Sequence, residues 1–337
     1  MSRRFLRASV RSFTLAVVLA SLPSLAHANC GAEGCPIGPP GPDALRGRFS
    51  FNVGYRVVEQ DRLWDGSHEV SEADAHAGAE IGHEIEQLTR TRSWTLDAGV
   101  RLRDDLRLAV AVPYLDRVHR HALVHHANFL IESEWHMKGF GDASAILNWT
   151  VPRLSRSNAN ALVLQAGVKL PTGKAQVEEI DGEQPEPPAR PGSGSTDALL
   201  GLQYQYPLSV PTLGGVHGTM PITAGVSARL NGRGTDDYRM GNETLANLSA
   251  AYPLTRSVRL LAQLNASHHE RDDVGLTEAE AHHTGGSVVL AAPGLQASFA
   301  PGVTMFGLYQ FRLYQHTNGP QLVSPQNVVV GLGFALH

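Results

Sequence analysis

Histidine doublets and near-doublets are the residues of this chain best suited to chemistry. They lie in three stretches, HRHALVHHANF (119–129), SHHERDD (267–273) and EAHHTGG (280–286). Imidazoles beside carboxylates are typical ligands of Zn, Cu or Ni. The candidate metal ligands are His119, His121, His125, His126, His268, His269, His282 and His283. Two alternatives stay open: the histidines keep polar loops soluble, or they form a pH-sensitive lid.

Cations form a second set, because they recur on the polar side of segments whose other side is apolar. The candidate pore-lining residues are Arg56, Asp97, Arg101, Arg107, Lys169, Arg229, Arg259 and Arg312. Among these strand positions only Asp97 opposes the cations, and a ring of cations in a pore favours anions. The alternative is internal pairing, in which the acidic, proline-stiffened segment 173–196 folds inward. Its acids are Glu178, Glu179, Asp181, Glu183 and Glu186.

Strands must position these residues, because apolar side chains recur at every second position. In the last segment, Val328, Val330 and Leu332 share one face while Val329, Gly331 and Gly333 share the other, and this period indicates β-structure. The predicted strands are 47–60, 84–102, 106–116, 142–151, 160–172, 197–206, 218–230, 242–252, 256–268, 282–291, 302–315 and 326–337. Most are longer than the roughly 5–6 residues typical of a soluble sandwich. The predicted fold is all-β, a transmembrane antiparallel β-barrel of about 12 strands.

The N-terminal 28 residues resemble a signal peptide. Arg3, Arg4, Arg7 and Arg11 precede an apolar run, and Ala26-His27-Ala28 fits a cleavage site. The expected organisation is a signal peptide at 1–28, a periplasmic tail at 29–46 and the barrel at 47–337. The expected location is the bacterial outer membrane, after export through the inner membrane.

Two cysteines, Cys30 and Cys35, lie in the sequence CGAEGC within the predicted tail. An oxidising compartment favours a small disulfide loop between them. A soft-metal site made by two thiolates is the alternative.

The charge balance excludes a nucleic-acid binder, which would be basic. The net charge is −4, and loss of the four signal arginines leaves 24 basic against 32 acidic residues, a charge of −8. The expected partners are outer-membrane lipid and lipopolysaccharide, the barrel assembly machinery and a small-molecule solute. The chain ends FALH instead of on an aromatic residue, which departs from the usual assembly signal of barrels.

Three motifs carry a family resemblance: GFGDASAILNW (139–149), GVKLPTGK (167–174) and GSGSTDALLGLQY (192–204). Their order and spacing resemble those of the bacterial outer-membrane proteins described as transporters of the phenol meta-degradation pathway. The resemblance implies a barrel that passes or binds small molecules. CGAEGC and the histidine-rich stretches are not part of that pattern.

The leading functional hypothesis is a channel or transporter for small solutes, anionic or aromatic, gated by its outer loops. The alternatives are a transition-metal-binding barrel that uses the histidine stretches and a structural barrel without transport. The sequence predicts no catalytic residues, because His316-Thr317-Asn318 has no serine placed as a nucleophile.

Overall fold

The computed structural model describes residues 47–77, 84–126, 129–152, 160–177, 184–212, 217–275 and 281–336. The predicted signal peptide, the tail with Cys30 and Cys35, and the acids at 178, 179, 181 and 183 lie outside the described residues.

Most of the described chain is strand, as the period-two pattern predicts. The elements are β1 (Phe49–Gln60), β2 (Arg62–Gly66), β3 (His68–Glu69), α1 (Glu72–Ala77), β4 (Glu84–Arg103), β5 (Leu106–His126), β6 (Phe129–Phe140), β7 (Ser144–Thr150), β8 (Ala161–Lys169), β9 (Asp197–Pro211), β10 (His217–Leu230), β11 (Glu243–Pro253), β12 (Val258–His269), β13 (Gly286–Ala300), β14 (Val303–Val323) and β15 (Gln326–Leu336). Single 3₁₀ turns lie at Pro187–Ala189, Thr235–Asp237 and Ala281–His283. No helix among the described residues is long and apolar enough to span a membrane.

The strands close into one antiparallel barrel, which confirms the predicted fold class. Its wall has twelve strand positions, each called a stave here. β1 completes the wall by pairing with both β4 and β15, with Phe49 opposite Leu336. β6 and β7 together form one stave, since both pair with β5 and only residues 141–143 separate them. Both ends of the described chain therefore lie at one end of the barrel, called here the terminal end. The opposite end is the loop end.

The outer surface of the barrel is an apolar band edged by aromatic rings. Tyr55, Trp94, Tyr114 and Phe140 form a row across four neighbouring staves, with successive ring centroids 5.0, 6.1 and 5.4 Å apart. Toward the terminal end, Trp149, Tyr206 and Phe299 are exposed large aromatics. An apolar band between aromatic rows matches the hydrocarbon core and interfaces of a bilayer.

Two of the segments that lie between predicted strands, and so were expected to be loops, are largely strand in the structure. The predicted loop 117–141 is instead a hairpin, in which β5 continues to His126 and β6 returns beside it, beyond the aromatic row. The segment 292–301, predicted as a long loop, continues β13 to Ala300, with Pro293 opposite Ala262. The turn between β13 and β14 is therefore short, so the connection at the terminal end is shorter than its sequence suggests.

A small cap stands on the loop end beside β14. Leu63 of β2, Ile85 of β4 and Leu322 of β14 form its buried apolar core, with Val70 and Ala75 packed against it. Gln60 donates from its side-chain amide to the carbonyl of Leu322 at 3.0 Å, which ties the cap to β1.

Candidate functional site: the lumen and its loop-end mouth

The predicted pore-lining residues alternate with exposed apolar residues, which places them on the inner face of the wall. Arg56 stands opposite Ser93 and Val329, and Asp97 stands opposite Asn52 and Ala111. Leu96 and Leu102, which have the other parity on β4, are exposed on the outside. Strand periodicity therefore positions these lumen residues directly, because successive side chains point to opposite faces.

Arg101 and Arg107 are cross-strand neighbours near the terminal end. Arg107 donates from Nη2 to the Ser50 hydroxyl and from Nη1 to the Gly47 carbonyl at 3.3 Å. Nε of Arg101 has no hydrogen-bond partner among the described residues. These partners of Arg107 are neutral, so among the described residues its two hydrogen bonds leave the charge of the guanidinium uncompensated beside Arg101.

Other lumen cations are paired with acids, contrary to the expectation that Asp97 alone opposes them. Nη2 of Arg229 lies 3.6 Å from the Glu243 carboxylate. Nζ of Lys169 lies 2.9 Å from Asp142 and 2.8 Å from Asp197. The acids were missed because Asp197 and Glu243 are the first residues of their strands and Asp142 lies in the break between β6 and β7.

The remaining predicted cations lie at other levels of the wall. Arg312 stands near the loop end with its guanidinium carbon 4.1 Å from the centre of the Trp64 ring, a cation–π contact from the cap. Arg259 lies opposite Gln296 on the inner face of β12. Sequence periodicity could find these arginines, but it could not find Trp64, which belongs to a different element.

The three motifs of the family resemblance meet in one buried cluster. Motif 139–149 supplies Asp142, motif 167–174 supplies Lys169, and motif 192–204 supplies Ser193, Ser195 and Asp197. Lys169 Nζ donates to both serine hydroxyls, Ser193 donates to Asp142 at 2.6 Å, and Ser195 donates to Asp197 at 2.7 Å. The side chains of the lysine and both aspartates are at most 7% exposed.

Beside this cluster the backbone of the same motifs crosses at three glycines. A Cβ on Gly173 would lie 2.7 Å from the carbonyl carbon of Gly141 and 2.8 Å from Cα of Gly192. Real Cβ atoms do not approach other atoms this closely, so the crossing requires residues without a side chain. The amide of Lys174 donates to Phe140 O at 2.9 Å, and the amide of Gly192 donates to Lys174 O at 3.0 Å.

Residues 184–196, called here the inner segment, pack into the loop-end mouth. Pro185, Pro187 and Pro191 are fully buried. Arg190 donates from Nε to the Pro185 carbonyl at 2.9 Å, and its Nη1 lies 2.9 Å from the Asp236 carboxylate. From the wall, Arg117 donates to the carbonyl oxygens of Pro188 and Ala189. Inward packing, predicted for segment 173–196, is seen for the described residues 184–196, which are held through arginines, backbone carbonyls and Asp236. Neutralisation of the lumen arginines by the acids at 178, 179, 181 and 183 stays a prediction.

Inner-face residues are buried at both levels of the lumen, since Ser50, Gln296 and Ala335 near the terminal end are at most 7% exposed. Inner-face residues Leu308, Gln310 and Val329 are at most 4% exposed. Arg101, Arg107, Asn148 and Gln165, which line the terminal half, are partly exposed.

His119 and His121 share the inner face of the β5–β6 hairpin, as strand periodicity predicts. Their ring centroids are 5.8 Å apart, and both rings contact Trp135. They are 5% and 3% exposed, beyond the aromatic row and so outside the membrane-spanning part of β5. Burial, with repulsion from His121 and Arg117, lowers the pKa of His119 to about 3, and burial lowers the pKa of His121 to about 4.

The other candidate histidines do not gather around this pair in the described structure. His268 and His269 are successive residues of β12 and so point to opposite faces: His268 Nδ1 lies 3.0 Å from the Ser287 hydroxyl, and His269 Nδ1 lies 3.9 Å from Asp272. His283 belongs to a 3₁₀ turn. His125 and His126 lie at the tip of β5 and His282 in the same 3₁₀ turn, and their side chains lie outside the described structure.

Within the described ranges, no three His, Cys, Asp or Glu side chains form a group that could hold a metal ion. Cys30 and Cys35 lie outside those ranges. The Zn, Cu or Ni site predicted from the sequence therefore stays a prediction.

Comparison with known proteins gives structural matches only. No protein-family model matches the chain, and no curated protein matches it. The COG4313 outer membrane channel from Pseudomonas putida F1 matches with a TM-score of 0.59 and 15% identity, over 89% of this chain and 100% of that one. The transport unit of the autotransporter AIDA-I from Escherichia coli matches with a TM-score of 0.48 and 10% identity, over 87% of this chain and 90% of that one. A Pseudomonas aeruginosa FadL homologue matches with a TM-score of 0.44 and 10% identity, over 88% of this chain and 93% of that one.

The first of these matches shows the fold of the chain. Its barrel superposes on the whole length of the Pseudomonas putida channel at an identity too low to assign a function. The chain therefore has the fold of an outer-membrane β-barrel.

Proposed function

We propose that the chain is an outer-membrane channel for small solutes with a preference for anions. The closed barrel, its apolar outer band and the fold it shares with an outer-membrane channel support this proposal. In that location the outer band contacts lipid and lipopolysaccharide, and the barrel assembly machinery inserts the chain. Aromatic solutes are an expectation that rests on the resemblance to phenol-pathway transporters alone.

The Arg101–Arg107 pair is the observation that carries the anion preference. Two neighbouring guanidinium groups lie on the inner face of the wall toward the terminal end, and the hydrogen bonds of Arg107 go to Ser50 and Gly47. Fixed cations in a confined aqueous path raise the local concentration of anions and repel cations. Lys169 and Arg229 contribute less, because carboxylates already neutralise them.

Reversal potentials in a planar bilayer test this proposal. The purified, refolded protein is placed under a salt gradient, first unchanged and then as Arg101→Gln and Arg107→Gln. We expect stepwise current with an anion preference that each substitution weakens. Arg103→Gln is the matched control, because Arg103 pairs with Asp105 in the turn of the same hairpin and its side chain is 65% exposed.

A folded barrel without stepwise current would contradict the channel. Current whose selectivity does not change in either arginine variant would contradict the assignment of the anion preference to this pair.

Metal binding is the second proposal, carried over from the histidine pattern and favoured by the adjacency of His119 and His121. Titration with Zn²⁺ tests it, using the full chain and a variant with glutamine at positions 119, 121, 125 and 126. Binding that disappears in the variant supports a site on the hairpin. Equal binding by both proteins rules that site out.

A further inference from the structure

We infer that Lys169 is a positioning residue that fixes the inner segment in the mouth of the barrel. Solutes then pass a permanent constriction and not a lid that opens and closes. This inference rests on the proposed channel function, and it replaces the expectation that loops gate the channel. It also gives the three shared motifs a common physical role.

The Asp142 carboxylate joins three parts of the chain in one buried place. Its Oδ1 accepts from the Gly173 amide at 2.9 Å, and its Oδ2 accepts from the Ser193 amide at 2.9 Å. Lys169 neutralises it at 2.9 Å from the adjacent stave. The chain leaves the wall after β8 near Gly173 and re-enters it before β9 near Ser193. Both places are therefore hydrogen-bonded to Asp142, in the break between β6 and β7.

Asp197 closes the cluster from the other side. Its Oδ1 accepts from the Ser195 hydroxyl and from the Gly232 amide at 3.1 Å, while Lys169 lies 2.8 Å from Oδ2. One ammonium group therefore faces two buried carboxylates. Withdrawal of the segment would leave these charges buried without their hydrogen-bond partners, which is far more costly than losing exposed ion pairs.

The glycine crossing packs the backbone tightly where the inner segment joins the wall, and residues 192–193 are called its base here. The backbones at Gly141, Gly173 and Gly192 touch without intervening side chains. At the other end, Arg190 ties the segment to Asp236 and Arg117 ties it to the β5 wall. The segment is thus held at residues 192–193 by the glycine crossing and Asp142, at Pro188 and Ala189 by Arg117, and at Arg190 by Asp236.

A reversible cross-link tests whether the base must move during permeation. A Cβ added to Gly139 would lie 3.2 Å from Cβ of Lys174, close to the roughly 3.5–4.5 Å that a disulfide needs. Gly139→Cys and Lys174→Cys are combined in a protein whose Cys30 and Cys35 are serine, with each single cysteine as control. We expect the thiols to bridge and the oxidised protein to conduct like the reduced one. Bridging that abolishes current, with reduction restoring it, would overturn the inference, as would thiols that do not bridge.

The second test removes the ammonium group of Lys169 from its buried cluster with Asp142 and Asp197. In Lys169→Met we expect larger and noisier current steps, and amide hydrogen exchange at residues 192–195 that is about tenfold or more faster than in the unchanged protein. Lys169→Arg, which keeps the charge, should recover part of the protection. Lys138→Met is the matched control, because Lys138 is 58% exposed and pairs with Asp116 on the hairpin.

Unchanged exchange and unchanged steps in Lys169→Met would refute the positioning role. If that variant does not fold, Asp197→Asn takes its place with the same expected outcomes. If the unchanged protein carries no current, the proposed channel fails, but hydrogen exchange still decides whether Lys169 fixes the segment.

Discussion

The guanidinium group of Arg107 lies against the inner face of Gly99, on the neighbouring strand. A Cβ on Gly99 would fall 2.7 Å from Nη2 of Arg107 and 2.7 Å from the Ser50 hydroxyl. The missing side chain at position 99 therefore creates the shallow site in which Arg107 spans from β5 to β1. This arrangement keeps the cation flat on the wall.

Gly99→Ala should move Arg107 off the wall and weaken the anion preference of the channel without unfolding the barrel. The new methyl group occupies the space of the guanidinium, so the hydrogen bond to Ser50 is lost. Reversal potentials under a salt gradient measure the change. Gly307→Ala is the control, because a Cβ there meets only Val330 at 3.8 Å. Equal selectivity in both variants would show that the position of Arg107 does not matter.

The buried histidines should make stability depend on pH. The folded pKa values of His119 and His121, about 3 and 4, lie below the ordinary value of 6.5. Between these limits the unfolded chain binds more protons, so stability is complete above pH 6.5 and falls as the pH drops toward 4. The loss is about 1.4 kcal/mol per pH unit for each histidine. Urea unfolding in detergent at several pH values measures it.

His119→Gln should flatten this pH dependence, since the neutral amide takes up no proton. His136→Gln is its control, because the His136 side chain is 61% exposed and lies 2.9 Å from Glu134. A slope in His119→Gln that matches the slope in His136→Gln would mean that the buried imidazole is not the source.

The wall of the barrel could be predicted from sequence because lipid on one side imposes an apolar residue at every second position. The β5–β6 hairpin was missed for the same reason. Beyond the aromatic row, its inner face packs Trp135 and Met137 with two histidines, and its outer face carries Glu134, His136 and Lys138. Neither face meets lipid, so the apolar alternation disappears although the hydrogen-bonded ladder continues.

The face on which each of the lumen cations lies could also be predicted, because parity alone decides which face a strand residue occupies. Their partners could not. Asp142 and Asp197 lie 27 and 28 positions from Lys169 in sequence, and only the stave order brings them to one point. The motifs marked that point, but a motif does not reveal that its charged residues neutralise one another.

A partly exposed acid in the cap, Glu86, should respond to pH in the opposite direction from the histidines. Glu86 is held beside Leu322, whose amide donates to it at 3.3 Å, and burial raises its pKa above the usual range. The folded state therefore keeps its proton longer, and stability declines as the pH rises above 4.5. Glu86→Gln should be more stable than the unchanged protein at pH 8 in urea unfolding. Glu69→Gln, at an exposed pair with Arg62, should change nothing. If Glu69→Gln were the more stable variant at pH 8 and Glu86→Gln were unchanged, Glu86 would not be the source of this pH dependence.

Two aspartates that each pair with a lysine should differ sharply in what their removal costs. Asp142 is 1% exposed and accepts from Gly173 and Ser193 as well as pairing with Lys169. Asp142→Ala leaves the buried amides of Gly173 and Ser193 without their acceptor, although Lys169 keeps Asp197. We therefore expect a loss of about 2–5 kcal/mol in the free energy of unfolding.

Asp116 pairs with the exposed Lys138 at 3.3 Å on the outside of the hairpin. Asp116→Ala should therefore cost at most about 1 kcal/mol, because solvent screens that pair. Urea unfolding of both variants in the same detergent gives the comparison. Similar losses would mean that the Lys169 cluster contributes no more than a surface ion pair. The convergence of the three motifs would then need another physical explanation.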